Sequence, residues 1–194
     1  FIGNKVGNGH TSQINAVAIG NFAYDGGSAN QVVCIGAYAG TNINSTAATG
    51  DVFIGYEAGS GNTEGAANTG IGFEALRANI DGDNNVAVGY QALENFEAAS
   101  NGQGQNTALG YRAGQNNVTG IYNTWLGYQS GLNASGSAAN LNAGVGYRAL
   151  EALTSGSENT ALGAYAALQL QNAKDIVALG HYTLANANTS TDID

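Results

Sequence analysis

The chain has 194 residues, enough for one domain with a core, yet it contains 30 glycines, no proline and only 10% charged residues. A net charge of -9 with five lysines and arginines leaves no basic stripe, which argues against binding to nucleic acid or anionic lipid. No apolar run approaches the ~18 residues of a membrane span, so we predict no transmembrane helix. The single cysteine, Cys34, excludes an intrachain disulfide, and we predict that it packs inertly.

One short motif recurs along the chain, and its clearest copy is the segment from Asn106 to Gly114. Each copy is marked by a central glycine, and successive glycines lie 16 to 21 residues apart. The eleven glycines are Gly3, Gly20, Gly36, Gly55, Gly72, Gly89, Gly110, Gly127, Gly146, Gly163 and Gly180. Such a period predicts a mainly β fold, a parallel β-solenoid of about eleven repeats over residues 1–185. Residues 186–194 form a polar tail or begin a further repeat. Because Phe1 falls inside a repeat, we expect the chain to be a segment of a longer protein.

In three repeats a polar residue, Asn15, Gln31 or Asp175, lies five positions before the glycine; in seven others a polar corner residue lies four positions before it. These seven residues are Asp51, Asn68, Asn85, Asn106, Asn123, Asn142 and Asn159. Stacked amides can hydrogen-bond along such a column and satisfy the backbone of the corner. We therefore predict a structural asparagine ladder.

A short strand follows, with aliphatic or β-branched residues one and three positions before the glycine, such as Val17 and Ile19. We predict that these two positions face the interior, so aspartate at Leu109 or Leu126 should disrupt the neighbouring coils. The residue between them should then face outward. It is Ala18, Cys34, Phe53, Gly70, Ala87, Ala108, Trp125, Gly144, Ala161 or Ala178. An outward column of small apolar residues indicates that another chain, or another part of this one, packs closely against it.

After the glycine comes an aromatic residue, then a small residue, and then glycine or leucine four positions on. The aromatic residues are Phe22, Tyr38, Tyr56, Phe73, Tyr90, Tyr111, Tyr128, Tyr147, Tyr165 and Tyr182. Where leucine is present, as at Leu76, Leu93 and Leu150, the local composition favours a short helical turn; glycine favours a tighter bend. Insertions fall in the remaining Gly, Asn, Ser and Thr loops, which are the best candidates for recognition.

The segment from Asn15 to Gly20 resembles the head repeats of trimeric autotransporter adhesins, and residues 106–111 resemble repeats of phage and large-virus fibre proteins. The resemblance covers residues 1–185. It implies an elongated homotrimer, located outside the cell, on the cell surface or on a virion, and used for attachment.

Catalytic chemistry is poorly represented. His10 and His181 lie about ten coils apart, on the order of 45 Å at ~4.8 Å per coil, and cannot share a site. No Ser-His-Asp or Cys-His arrangement can be built, and dinucleotide-type matches at residues 70–75 and 144–149 lack a βαβ unit. The segment Asp81–Asn85 begins like a calcium loop without its later glycine and glutamate; a weak calcium site and a plain acidic turn are both open.

Four asparagines, Asn44, Asn117, Asn133 and Asn188, lie in glycosylation sequons that chance could supply in this composition. A threonine column at Thr69, Thr107, Thr124 and Thr160 would suit an ice-binding face, but the predicted strand alternation turns it inward.

We therefore expect no catalytic, cofactor-binding or metal-binding residues, no cofactor and no enzymatic activity. The favoured function is a structural module of an extracellular, self-associating fibre or filament that spaces or presents a receptor-binding or adhesive element. The alternative is a module that binds cell-surface glycans or a receptor through its loops and exposed tyrosines. A polysaccharide lyase on a solenoid would need clustered carboxylates, whereas the acidic residues here are scattered.

Overall fold

The fold is a stack of coils in which each coil contributes one short parallel strand. The computed structural model describes residues 2–7, 15–25, 29–98, 100, 102–135 and 139–187. The strands are β1 (Val17–Ile19), β2 (Val33–Ile35), β3 (Val52–Ile54), β4 (Thr69–Ile71), β5 (Val86–Val88), β6 (Thr107–Leu109), β7 (Thr124–Leu126), β8 (Ala143–Val145), β9 (Thr160–Leu162) and β10 (Val177–Leu179). Within the described residues they form one sheet in sequential order from β1 to β10. The predicted parallel β-solenoid is confirmed, with about nine turns between ten strands.

Equivalent residues of successive repeats pair directly, so the repeat in the sequence is also the repeat in space. Val52 pairs with Thr69 and Ile54 with Ile71, and the same register continues along the sheet. Ile2, in the first predicted repeat, forms only an isolated parallel bridge to Ile19. Strands are therefore present in ten of the eleven predicted repeats, and most of the predicted tail at 186–194 lies outside the described residues.

The predicted orientation of the strand residues is wrong. The middle residue of every strand is buried, whereas the two flanking residues are half-buried or exposed. Leu109 is 45% exposed and Leu126 is 39% exposed, whereas the residues directly before them, Ala108 and Trp125, are fully buried. Alternation in a three-residue strand allows either the middle residue or the two flanking residues to face inward, and here the middle residue does. The predicted outward column of small residues is thus an inner column.

Phe53 and Trp125 fit the interior because the opposite wall of the coil has glycine. A Cβ on Gly59 would lie 2.3 Å from the Phe53 ring, and one on Gly131 would lie 2.3 Å from the Trp125 ring. Where the inner residue is glycine, as at Gly70, the position six residues later is a fully buried leucine, Leu76. In these coils a large residue at one of the two positions is matched by a small residue at the other, as close packing demands.

The predicted helical turns are also wrong: the described residues contain no helix. Glu74 and Leu76 have φ of 54° and 53°, and the equivalent Arg148 and Leu150 have φ of 55° and 52°. Glycine at the leucine position, as at Gly59, adopts the same left-handed region with φ of 58°. Alternating left-handed residues bend the chain back to close the coil, which a run of right-handed helical residues could not do.

The central glycines are required by both backbone conformation and space. From Gly20 to Gly163 their φ lies between 133° and 142°, a region that only glycine adopts readily. A Cβ on Gly110 would lie 2.4 Å from the carbonyl oxygen of Gly127 in the next coil. This column lets successive coils approach closely immediately after each strand.

The predicted asparagine ladder is confirmed. The side-chain oxygen of Asn68 accepts hydrogen bonds from the backbone N–H and the side-chain amide of Asn85, both at 3.0 Å. The side-chain amide of Asn68 donates to the carbonyl of Gly82 at 2.8 Å. Asn106 binds Asn85 in the same way, and all ladder members are buried. The ladder satisfies backbone groups that would otherwise be buried without partners.

Candidate interaction surface

The outer face of the sheet is a long apolar surface, which we call the aliphatic face. It consists of the first and third residues of each strand, β1 to β10. Its aliphatic members include Val17 at 48%, Leu162 at 52% and Leu179 at 60% exposure. Monomeric proteins rarely leave so many branched residues together in water, so this face is the best candidate for a contact surface.

An exposed aromatic column borders the aliphatic face, one or two residues after each central glycine. From Tyr56 to Tyr147 the neighbouring rings are stacked, with centroids 5.0–5.2 Å apart and ring planes within 15° of parallel. The column turns edge-on between Tyr38 and Tyr56 and between Tyr147 and Tyr165. Offset stacking at this separation is favourable, and it covers the faces of the rings with one another. Each residue of the column from Tyr56 to Tyr147 is nevertheless 38–43% exposed.

Charged groups lie elsewhere on the coil. None of the ten described strands contains a charged residue. On the wall that follows the aromatic column, Arg77 donates to Glu94 at 2.7 Å, and Gln115 donates to the other oxygen of Glu94 at 2.6 Å. Gln91 donates to Glu74 at 2.7 Å on the same wall. The aliphatic face itself is therefore uncharged, whereas on the bordering aromatic column Arg112 lies over the Tyr111 ring, 5.3 Å from its centroid, and Arg148 lies over the Tyr165 ring, 5.7 Å from its centroid.

Residues of the calcium-like segment and Cys34 have structural roles. Asp83 accepts a hydrogen bond from the backbone N–H of Ala66 at 2.7 Å, and Asn85 belongs to the buried amide ladder. Cys34 is fully buried in the inner column. Burial raises the pKa of the Cys34 thiol to about 12, which keeps it protonated and unreactive.

His10 lies outside the described residues, so the predicted distance between the two histidines stays a prediction. His181 packs its ring edge-on against Tyr182, with centroids 4.4 Å apart. His181 is therefore in contact with the aromatic column. The two dinucleotide-type matches contain Gly70 and Gly144, which belong to the inner column.

The sequons differ in accessibility. Asn44 is exposed, whereas Asn117 is fully buried and its side-chain amide donates to the carbonyl of Gly120. The Asn133 side chain accepts a hydrogen bond from Asn116, and Asn188 lies outside the described residues. Asn44 is therefore the best placed of the three described sequons for modification.

The expectation that the threonine column points inward is wrong, because Thr107, Thr124 and Thr160 lie on the aliphatic face. Threonine is the first residue of only four of the ten strands, and valine or alanine is the first residue of the others. The face as a whole is apolar, without a regular array of hydroxyl groups.

The described part of the chain contains no cluster of three or more His, Cys, Asp or Glu side chains able to hold a metal ion. It also shows no cavity, and none of its segments is a helix long and apolar enough to cross a bilayer. Comparison of the chain with family models, curated proteins and solved structures finds no match. The candidate site therefore rests on the geometry of the outer faces.

Proposed function

We propose that this chain is a structural module of an extracellular, self-associating fibre that spaces or presents a receptor-binding or adhesive element. The observation that carries the proposal is the uncharged aliphatic face, which runs along the whole described sheet. Copies of the chain pack through this face, and the rod that results is held together by apolar burial.

The size of the aliphatic face together with the bordering aromatic column supports a stable contact. Ten strands spaced ~4.8 Å apart cover about 43 Å, and a three-residue strand with its adjoining ring covers about 15 Å. The product is about 650 Å², similar to the ~800 Å² that each partner buries in a standard interface. It exceeds the 300–600 Å² of the largest apolar patch on a typical monomer.

The repeat also favours parallel association. Every copy presents the same side chains at the same coil spacing, so parallel copies can match their rows coil by coil. When the copies are related by a rotation axis parallel to the stack, they form a closed homo-oligomer in which every aliphatic face is covered. The resemblance to trimeric fibre repeats makes three copies the expected number.

Mass measurement in solution tests the proposal. We expect light scattering on the 194-residue chain to give a trimer, and Leu109→Asp combined with Leu126→Asp to give a folded monomer with the β circular dichroism of the wild type. Gln169→Asp combined with Gln171→Asp, which adds the same two charges at exposed positions outside the strands, should stay associated. A wild-type chain that is monomeric at tens of micromolar would refute the proposal.

Binding of cell-surface glycans through loops and tyrosines is the alternative, and the aromatic column makes it the weaker one. Sugars commonly bind aromatic side chains through the ring face, and here neighbouring rings 5.0–5.2 Å apart occupy those faces from Tyr56 to Tyr147. The loops stay available for such contacts. A glycan-array screen with loop-exchanged variants distinguishes this role from a purely structural one.

A further inference from the structure

Six successive members of the aromatic column are tyrosines, and the first four of them form an uninterrupted stacked run, Tyr90, Tyr111, Tyr128 and Tyr147. Their three neighbouring pairs are stacked, with centroids 5.2, 5.0 and 5.0 Å apart and ring planes 11°, 9° and 8° from parallel. Each ring is 38–43% exposed. Phenol rings that are held parallel, close together and open to solvent have the arrangement needed for oxidative coupling.

We propose that this tyrosine run is a site of oxidative cross-linking, in which neighbouring tyrosines of one chain join as dityrosine and tie adjacent coils together. The co-reactant is a peroxide, used by a haem peroxidase. The proposal does not depend on self-association, because both rings of each pair belong to the same chain.

The chemistry balances without any further reagent. Each of two neighbouring phenols gives up one electron and its hydroxyl proton, and together they reduce one hydrogen peroxide to two waters. The two phenoxyl radicals form one carbon–carbon bond between ring positions ortho to oxygen. The hydrogen on each bonded ring carbon then moves to the oxygen, which restores both aromatic rings. The bonded pair has lost two hydrogens in total.

Proximity favours coupling within a pair over coupling between chains. A radical on Tyr111 has a reaction partner stacked on either side, Tyr90 and Tyr128, already held in near contact. A cross-link between Tyr111 and Tyr128 would bridge coils 17 residues apart in the chain. Like other covalent bridges, it would restrict the unfolded chain and slow the separation of coils.

Phe73 sets a natural boundary to the reaction. It stacks between Tyr56 and Tyr90, with centroids 5.2 and 5.0 Å from theirs, and has no hydroxyl group to oxidise. Tyr56 therefore has no tyrosine stacked against it on this side. The sequence thus contains its own control, since Tyr56 should not couple to Tyr90.

The experiment treats the full chain with horseradish peroxidase and hydrogen peroxide and maps cross-linked peptides by mass spectrometry after chymotryptic digestion. We expect dityrosine fluorescence and the pairs 90–111, 111–128 and 128–147, in chains that still migrate as monomers on a denaturing gel. The denaturation midpoint of the oxidised protein should rise.

Two variants sharpen the test. Tyr111→Phe keeps the stacked ring but removes the pairs 90–111 and 111–128, so both of these cross-links should disappear while the 128–147 cross-link remains. Phe73→Tyr should add links from residue 73 to Tyr56 and to Tyr90. Coupling of Tyr56 to Tyr90 in the wild type, coupling only between chains, or absence of dityrosine under conditions that couple free tyrosine would each overturn the proposal.

Discussion

Asp51 is the one carboxylate in the buried amide ladder, and replacing it with asparagine should stabilise the fold in a pH-dependent way. Asp51 is fully buried, accepts a hydrogen bond from the backbone N–H of Asn68 at 2.8 Å and accepts another from the Asn62 amide at 3.0 Å. Asparagine should fit at position 51, because Asn68 occupies the equivalent position one coil further on. There the Gly82 carbonyl accepts from both Asn68 and Asn79, and the Gly65 carbonyl is available for the equivalent pair.

The magnitude follows from the pKa of Asp51. Burial, aided by the negative charge of Asp83, raises the pKa of the Asp51 carboxyl from 3.8 to about 7, although hydrogen bonds from Asn68 and Asn62 oppose the rise. The folded state therefore holds the proton more tightly than the unfolded state. Below pH 3.8 the carboxyl is protonated in both states and costs nothing. Stability is lost as pH rises toward 7, by up to an amount on the order of 4 kcal/mol at 1.36 kcal/mol per pKa unit.

Urea denaturation of wild type and Asp51→Asn at intervals from pH 4 to pH 8 measures this difference directly. We expect the stabilisation by Asp51→Asn to be near zero at pH 4 and to grow to a few kcal/mol at pH 8. Other titrating groups cancel in the comparison, and the neighbouring Cys34 and Tyr24, whose pKa values are each raised to about 12, stay neutral throughout. Asn85→Asp is the matched control and should destabilise above neutral pH. A difference that does not change between pH 4 and pH 8 would refute the reasoning.

Three further predictions concern packing and backbone conformation. Gly110→Ala should cost at least ~3 kcal/mol in urea denaturation, since its Cβ meets a carbonyl oxygen at 2.4 Å, whereas Gly50→Ala, with φ of 77° and 3.8 Å to the nearest atom, should cost about 1 kcal/mol. Equal costs would contradict the crowding argument. Leu141→Asn should raise stability by about 0.5–1 kcal/mol, because Leu141 is 55% exposed and has φ of 58°; a loss would show that its side chain packs usefully. Phe53→Gly should cost about 4 kcal/mol, and Gly59→Leu in the same chain should recover a large part of it; a double-mutant cycle without coupling would contradict the proposed volume matching.

The repeat period and the position of the strands could be predicted from the sequence, because every repeat carries the same chemistry at the same spacing. The amide ladder was predictable for the same reason: asparagines such as Asn68 and Asn85 recur at a corner where backbone groups need partners. These features depend on position within the repeat and require no knowledge of which face is inside.

The orientation of the strands could not be predicted from alternation, because both faces of each strand are apolar. The pattern at Val17, Ala18 and Ile19 favours the larger residues inside only when the interior can hold them. The orientation could have been decided by comparing the size of the middle residue of a strand with the size of the residue six positions later. Phe53 occurs with Gly59 and Gly70 with Leu76, which indicates that these positions share one enclosed volume.

The turns were mispredicted because helix propensity describes residues with negative φ. Leu76 and Leu150 adopt positive φ, and their burial within the coil compensates the backbone cost. Their equivalence to glycine at Gly59 and Gly131 was visible in the alignment of repeats. Interchange of leucine with glycine at one position is better explained by a left-handed turn than by a helix.

The two large interior rings give individual coils an identity that the repeat itself does not supply. Near-identical coils could stack in the wrong order during folding, with one coil left out as a loop, and most of the hydrogen bonds would still form. Phe53 projects over Gly70, where even a Cβ would lie 3.0 Å from the ring, and Trp125 projects over Gly144 in the same way. We therefore expect the alanine variant at either ring to refold with more misthreaded chains, measurable as a lower yield of native protein. Each ring therefore favours the correct order of coils, because it fits only against a neighbouring coil with glycine at the facing position.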